Sequence, residues 1–327
     1  MKRRQFLLAT ASISTSILFG IRPTWSAVAF ENKLGVVWRV PKATILEIWP
    51  SHVDMDLAGA LNAVSEWSIP TDSRVVLRLE DGIHVQTKAV DIIQNHGSRL
   101  SIIGNVQQPE RCKLVWFGPT EGFYVGSDIV LGYINGLVLE HTNIPSRGLG
   151  SAFLADEGGV IHCGPNIEVR NFYYGFQARF GGIINCRGAT SKGAGDANYF
   201  AFNGGHINAA GAHALDARDD AKKLGFGFMA EYGGTINAVG AVADYNAIAG
   251  FAALSNGVIR AYDSKSRHNG SNGYYVNTGG TIVAHNALAQ ENCGDAVYSP
   301  DRPGGITGTN MKDQSNQFPT ENCKSKQ

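Results

Sequence analysis

Beyond residue 130, apolar and polar positions recur in a fixed unit. A doublet of small residues stands at Asn135-Gly136, Gly158-Gly159, Gly181-Gly182, Gly204-Gly205, Gly233-Gly234, Asn256-Gly257 and Gly279-Gly280. The intervals are 23, 23, 23, 29, 23 and 23 residues. The position three after each doublet start is β-branched: Val138, Ile161, Ile184, Ile207, Ile236, Ile259 and Ile282. Two positions later comes a small residue in six units: Cys163, Cys186, Ala209, Ala238, Ala261 and Ala284. Alternation at period two, in segments too short and glycine-rich for helices, predicts a short strand with one buried face. Later in each unit comes an aromatic: Phe153, Phe176, Tyr199, Phe228, Phe251 and Tyr274. A glycine before four of these suggests a tight turn into the next strand. Asn171, Asn246, Asn269 and Asn292 form a further column, in which each amide can bond the amide one unit away. A period in this range marks a solenoid, each unit burying its apolar face only against its neighbours.

The spacing extends back to Cys112, where Lys113-Leu-Val-Trp reads as a strand, and earlier strands are expected at 74–80 and 100–104. Before them, Leu57, Leu61, Val64 and Trp67 fall at helical spacing, with Asp54 or Asp56 as N-cap. A solenoid's open end needs a cover, and this helix stands where the cover belongs. The stacked Ile, Ala and aromatic columns with an asparagine ladder resemble the right-handed parallel β-helix of the pectin lyase-like superfamily. The resemblance implies an all-β fold with about 23 residues per coil and a short N-terminal capping helix. The expected organisation is an export signal at 1–29, an N-terminal segment with the capping helix at 30–73, the β-helix at 74–310 and a tail at 311–327.

The start of the chain changes the picture. Arg3-Arg4-Gln5-Phe6-Leu7 resembles a twin-arginine export signal, and an uncharged run to Ile21 precedes Ala27-Val28-Ala29, which fits cleavage after Ala29. A periplasmic or extracellular location is expected. No later stretch is long and apolar enough to predict a membrane span. Removing residues 1–29 takes away Lys2, Arg3, Arg4 and Arg22 and no acidic residue, leaving 24 basic against 28 acidic residues. That balance argues against a nucleic-acid partner. The five cysteines show no metal-like spacing. Cys163 and Cys186, 23 apart, read as two small buried side chains in a stack, with a disulfide as the alternative; Cys293 and Cys323 are candidates to clamp the tail.

Stacked strands place equivalent residues about 4.8 Å apart, close to the length of a sugar residue in an extended polysaccharide. The fold therefore suits glycan chains, and a polysaccharide is the expected substrate or ligand. The column before the asparagines reads Arg147, Arg170, Gly193, Asp216, Tyr245, His268 and Glu291, polar and different on almost every unit. Asp216, Tyr245 and His268 are groups able to move protons, on successive units; a solvated charged edge would look the same. The one long interval falls here and carries Asp216-Ala-Arg-Asp-Asp-Ala-Lys-Lys. Asp216, Asp219 and Asp220 are candidate ligands for Ca²⁺. Arg218 and Lys222 are candidates to neutralise a uronate carboxylate or serve as base. Lys192, His213, Asp244, Lys265 and Arg267 are candidate substrate-binding residues nearby.

β-Elimination on an acidic polysaccharide fits these groups with the fewest demands. Hydrolysis would pair Asp216 with Asp219, Asp220 or Asp244. Asp219-Asp220 matches one motif of polygalacturonase-like hydrolases, but the Gly-His-Gly and Arg-x-Lys motifs are missing; so are the Asp-Pro-His-Asp motif of mannuronan epimerases and a complete pectate-lyase signature. A non-catalytic glycan-binding or adhesive module, or a structural exoprotein, remains a separate class of reading. Side-by-side trimers are common among such solenoids and are an open expectation here.

Overall fold

A computed structural model describes residues 39–40, 42–53, 56–143, 150–218, 224–300 and 304–314. The chain winds as a right-handed parallel β-helix whose coils stack three parallel sheets. Among the described residues, sheet A has eleven strands, from Ile45–Ile48 to Gly305–Thr307, sheet B ten, from Gly82–Gln86 to Lys312–Gln314, and sheet C nine, from Val90–Asp91 to Val297–Tyr298. Each regular coil runs A, B, C, so the cross-section has three faces and three corners. The B–C corner lies opposite the face of sheet A.

The expected columns are the core. Ile161, Ile184, Ile207, Ile236, Ile259 and Ile282 stack in register inside sheet A. Seven rings, Phe123, Phe153, Phe176, Tyr199, Phe228, Phe251 and Tyr274, stack inside sheet C at 4.6–5.4 Å between centroids. Offset stacking of this kind adds to the burial of each ring. Cys163 and Cys186 are buried free thiols on adjacent coils, as the stack reading expects, and burial pushes both pKa values well up. Cys293 is disulfide-bonded, while Cys323 lies outside the described residues.

The helix forms over Leu57–Ser65, and Asp56 caps it, its carboxylate accepting from Gly59 N at 2.6 Å, while Asp54 lies outside the described residues. Leu57, Ala60, Leu61 and Val64 face the core. Its apolar side joins the first coils, the cover that an open solenoid end requires.

Three details differ from the sequence reading. Asn135-Gly136 belongs to another corner: Leu137 pairs with Ile167 in sheet B, and Val160 of sheet A pairs with Val130. Ser127 and Asp128 hold the left-handed backbone that the residue before the doublet and the doublet's first residue hold on later coils. Second, one coil has 22 residues at sheet B, pairing Arg170 with Lys192 and putting Asn171 level with Gly193. Asn171 is therefore a left-handed corner residue (φ 59°) and not part of the ladder.

The third difference concerns the glycines before the aromatics. Gly175, Gly227, Gly250 and Gly273 lie within or beside strands and serve close approach, not a turn. A Cβ on Gly250 would stand 2.1 Å from Ser266 Oγ. Asn198 occupies the same place and sends its amide to Asn246 Oδ1 at 3.0 Å, supplying the ladder amide that Ala217 lacks.

The ladder proper runs Asn198, Asn246, Asn269 and Asn292, all fully buried. Asn269 Oδ1 accepts from Asn246 N at 2.9 Å and Nδ2 at 3.0 Å, while Asn269 Nδ2 donates to Asn292 Oδ1 at 2.8 Å and Ala243 O at 3.2 Å. Each bond satisfies a group with no water to replace it. Asn269→Ala should cost about 2–3 kcal/mol, because it strands donors and acceptors in the interior. Asn171→Ala should cost only about 1 kcal/mol, the strain of a left-handed alanine. Urea denaturation of the two variants, side by side, separates the ladder from the corner.

Candidate functional site

The B–C corner is built by one residue per coil in the left-handed conformation: Asn171, Gly193, Asp216, Tyr245, His268 and Glu291, with φ between 52° and 71°. The backbone turns there between a sheet B strand and the buried ladder residue, which throws the corner side chain outward. Glycine and asparagine tolerate this conformation; tyrosine and histidine pay about 1 kcal/mol or more for it. Tyr245 is 45% exposed, so little burial offsets that cost.

The structure brings every described candidate residue to this corner and the adjoining outer face of sheet B. Lys192, Leu215, Asp244 and Arg267 form the column next to the corner. His213, Val242 and Lys265 form the column beyond it. Arg218 lies just past the corner and donates to Asn171 Oδ1 at 3.1 Å, reaching across two coils. Lys222, Asp219, Asp220 and Arg147 lie outside the described residues.

Within this surface the charges are paired in a definite order. Lys192 Nζ stands 3.5 Å from Asp216 Oδ2, both side chains about half exposed. Arg267 forks onto Asp244, Nε to Oδ1 at 3.0 Å and Nη2 to Oδ2 at 2.5 Å. This bidentate hydrogen bond holds the Arg267 pKa above its ordinary value. The Asp244 side chain is only 9% exposed. His268 Nε2 pairs with Glu291 Oε2 at 3.0 Å, and its Nδ1 is buried without a partner. The Tyr245 ring lies flat on the His268 ring, with centroids 4.7 Å apart and planes 7° from parallel.

These contacts assign physical roles. Glu291 orients His268, and His268 supports the face of Tyr245. Neither ring nitrogen of His268 is open to a ligand. Tyr245 is the exposed member of the group. Lys192, Arg218, His213 and Lys265 present positive or ionisable groups to solvent elsewhere on the same corner and face. Among the described residues, no group of three or more His, Cys, Asp or Glu side chains could hold a metal ion. The described part of the Ca²⁺ expectation is Asp216 alone, and its carboxylate already faces Lys192.

A second surface escaped the sequence reading. On the outer face of sheet A, a shallow cleft of about 460 Å³ is floored by the side chains of Asn185, Asn208, Asn237 and Arg260, with Ile183 and His206 alongside. The signal was present in the chain: each of those four residues stands four positions after the start of a doublet.

No family model matches this chain, and no curated protein matches it. Among solved structures it is similar to the catalytic domain of Agl-KA, with 10% sequence identity and a TM-score of 0.37. The match covers 82% of this chain and 63% of that one, so the chain spans less than two thirds of that domain. Likeness of this degree carries no chemistry from one protein to the other.

Proposed function

We propose that this chain is a carbohydrate-active β-helix protein that acts on an acidic, uronate-containing polysaccharide outside the cytoplasm. One observation carries the reading: an exposed, backbone-strained Tyr245, braced by His268 and Glu291, stands next to the Arg267 column on a corner and face that also carry Lys192, Arg218 and Lys265. Strained residues gather where geometry serves function. Coils about 4.8 Å apart match the step of an extended glycan, so a chain along the corner would present successive sugars to successive side chains.

The reaction that fits is β-elimination. Arg267, the cation that interacts electrostatically with Tyr245, partly neutralises the uronate carboxylate in this reading, which makes the C5 proton easier to remove. Once the Tyr245 hydroxyl has released its own proton to solvent, its oxygen takes the C5 proton; the electron pair forms the C4–C5 double bond as the C4–O4 bond breaks. The tyrosine then returns its proton to O4, so one residue acts as base and then as acid. Hydrolysis fits less well, since it needs a free carboxyl pair, whereas Asp244 is committed to Arg267 and Asp216 to Lys192. No step is assigned to a cation; Ca²⁺ held by Asp216 with Asp219 and Asp220 is a proposal that a chelator tests.

The experiment is a screen of the mature protein against alginate, pectate and glucuronan, following absorbance of the unsaturated uronate product with and without chelator. Product from at least one polymer supports the reading. Absence of product from all three ends it. One observation favours a second reading, in which the corner binds glycan without cleaving it: most of its charged groups already satisfy one another. Retention on a uronate polymer with no product would establish that reading.

A further inference from the structure

The outer face of sheet C carries chemistry that the B–C corner does not use. Phe200, Phe226 and Met229, with Ala197, Ala249 and Ala252, form an apolar cluster there, and Phe202 and Leu254 pack against it. At its edge, beside the C–A corner, one outward column reads Asp156, Arg179, Phe202, Glu231 and Leu254 on successive coils. The residue after each stands at the corner itself: Glu157, Phe180, Asn203, Tyr232 and Ser255, all left-handed.

The two carboxylates of this column are treated differently. Asp156 is met by the next coil: Arg179 Nε and Nη2 donate to Asp156 Oδ2 at 3.0 and 2.8 Å, and the guanidinium carbon lies 5.7 Å from the centre of the Phe180 ring. A carboxylate, a cation and an aromatic face therefore assemble once along this edge within the chain itself. Glu231 is met by Leu254 on the next coil, has Phe202 on the coil before, and is followed by Tyr232. Among the described residues, no cation and no hydrogen-bond donor meets its carboxylate, and burial alone pushes its pKa above the ordinary value. The neighbouring ring is costly as well. Tyr232 holds the left-handed conformation and is 55% exposed, whereas asparagine and serine fill the same corner on the adjacent coils. The Tyr232 and Phe202 rings lie 5.4 Å apart with planes 79° from parallel, two aromatic walls nearly at right angles beside the carboxylate.

We infer that Phe202, Glu231 and Tyr232 form a binding site for a small quaternary ammonium cation. The carboxylate and the ring faces both attract positive charge, and the rings do so most strongly when the cation sheds little water on arrival. The donor count selects among cations. A primary ammonium brings three N–H groups and a guanidinium five, but Phe202 and Leu254 offer no acceptor and Glu231 would have to serve them alone. A trimethylammonium group has no N–H to satisfy and turns its methyl groups toward the apolar walls. The site stands at the C–A corner, apart from the B–C corner, and does not depend on the cleavage proposed there.

The test is a titration of the mature chain with choline, followed by the ligand's methyl NMR signal. The comparison ligands are choline's uncharged analogue with carbon in place of nitrogen, ethylammonium and methylguanidinium. Choline should bind about tenfold or more tightly than each of the three. Glu231→Gln should weaken choline binding to the level of the uncharged analogue while leaving Tm equal or slightly raised, because the amide carries no charge to desolvate. Tyr232→Asn should also weaken it without lowering Tm, since asparagine suits the left-handed corner. A purely structural role for either residue would lower Tm instead. Tyr245→Phe should leave choline binding untouched, so failure of the cleavage reading and failure of this one are separable. The inference is overturned if choline does not bind, if the uncharged analogue, ethylammonium or methylguanidinium binds as well as choline, or if Glu231→Gln binds choline as wild type does.

Discussion

Gly205→Ala should destabilise the chain by on the order of 4 kcal/mol or prevent its folding, while Gly204→Ala, one residue away, should cost about 1 kcal/mol. The two glycines look alike in sequence but do different work. Gly204 has φ +76° and open space where a Cβ would point. Its cost is that of a left-handed alanine, and asparagine should recover most of it, as Asn256 does in its own coil. A Cβ on Gly205 would lie 2.0 Å from the Ala178 carbonyl oxygen and 2.4 Å from its carbon. Both obstacles are backbone of the coil before, which cannot move without breaking the stack. The same contact recurs at Gly182, Gly234, Gly257 and Gly280, each against the carbonyl of an alanine in sheet C. Thermal unfolding followed by circular dichroism would order the two variants; equal losses would contradict this assignment.

Most of the fold was legible because its repeat is strict. The interior columns of isoleucine, small residues and aromatics follow from the doublet alone, since a one-residue slip would turn each strand inside out. What was not legible came from places where the coil length changes. The 22-residue coil moved Asn171 out of the ladder, and the first Asn-Gly pair matched the period by coincidence at another corner. The glycines before the aromatics were assigned to turns, although the crowding that requires them comes from Ser191, Ser266 and the ladder, which no local pattern reveals.

The candidate site was legible in part for the same reason. Asp216, Tyr245 and His268 do share the B–C corner, and Lys192, His213, Asp244, Lys265 and Arg267 share the neighbouring columns. Their pairing was not legible. Sequence could not show that Asp244 is locked by Arg267, or that His268 has Nε2 on Glu291 and Nδ1 buried, which removes it as a group in contact with substrate. The sheet A cleft was overlooked because asparagine on an outward strand position reads as ordinary solvent-facing filler until three of them stand in register.

The second large effect is catalytic. Tyr245→Phe removes one oxygen and keeps the ring on His268, the left-handed corner and the ladder beneath it. If that oxygen carries the proton from C5 to O4, turnover should fall by a factor of about 10² to 10⁴, the usual contribution of a positioned acid–base group. KM should change little, because the cations that meet the carboxylate remain. Tyr245→Asn should go further, abolishing turnover while leaving stability equal or slightly raised, since asparagine relieves the left-handed strain. Glu291→Gln should reduce turnover less, since Glu291 acts through the orientation of His268. Arg267→Ala, by contrast, should lower stability because it strands the nearly buried Asp244 carboxylate.

The most direct measurement is the initial rate of unsaturated-product formation by wild type and Tyr245→Phe, at matched Tm, on the uronate polymer that wild type cleaves best. A rate for the variant at least a hundredfold lower, with KM preserved, is what the corner site predicts; equal rates, or no product from wild type on any uronate polymer, would contradict it.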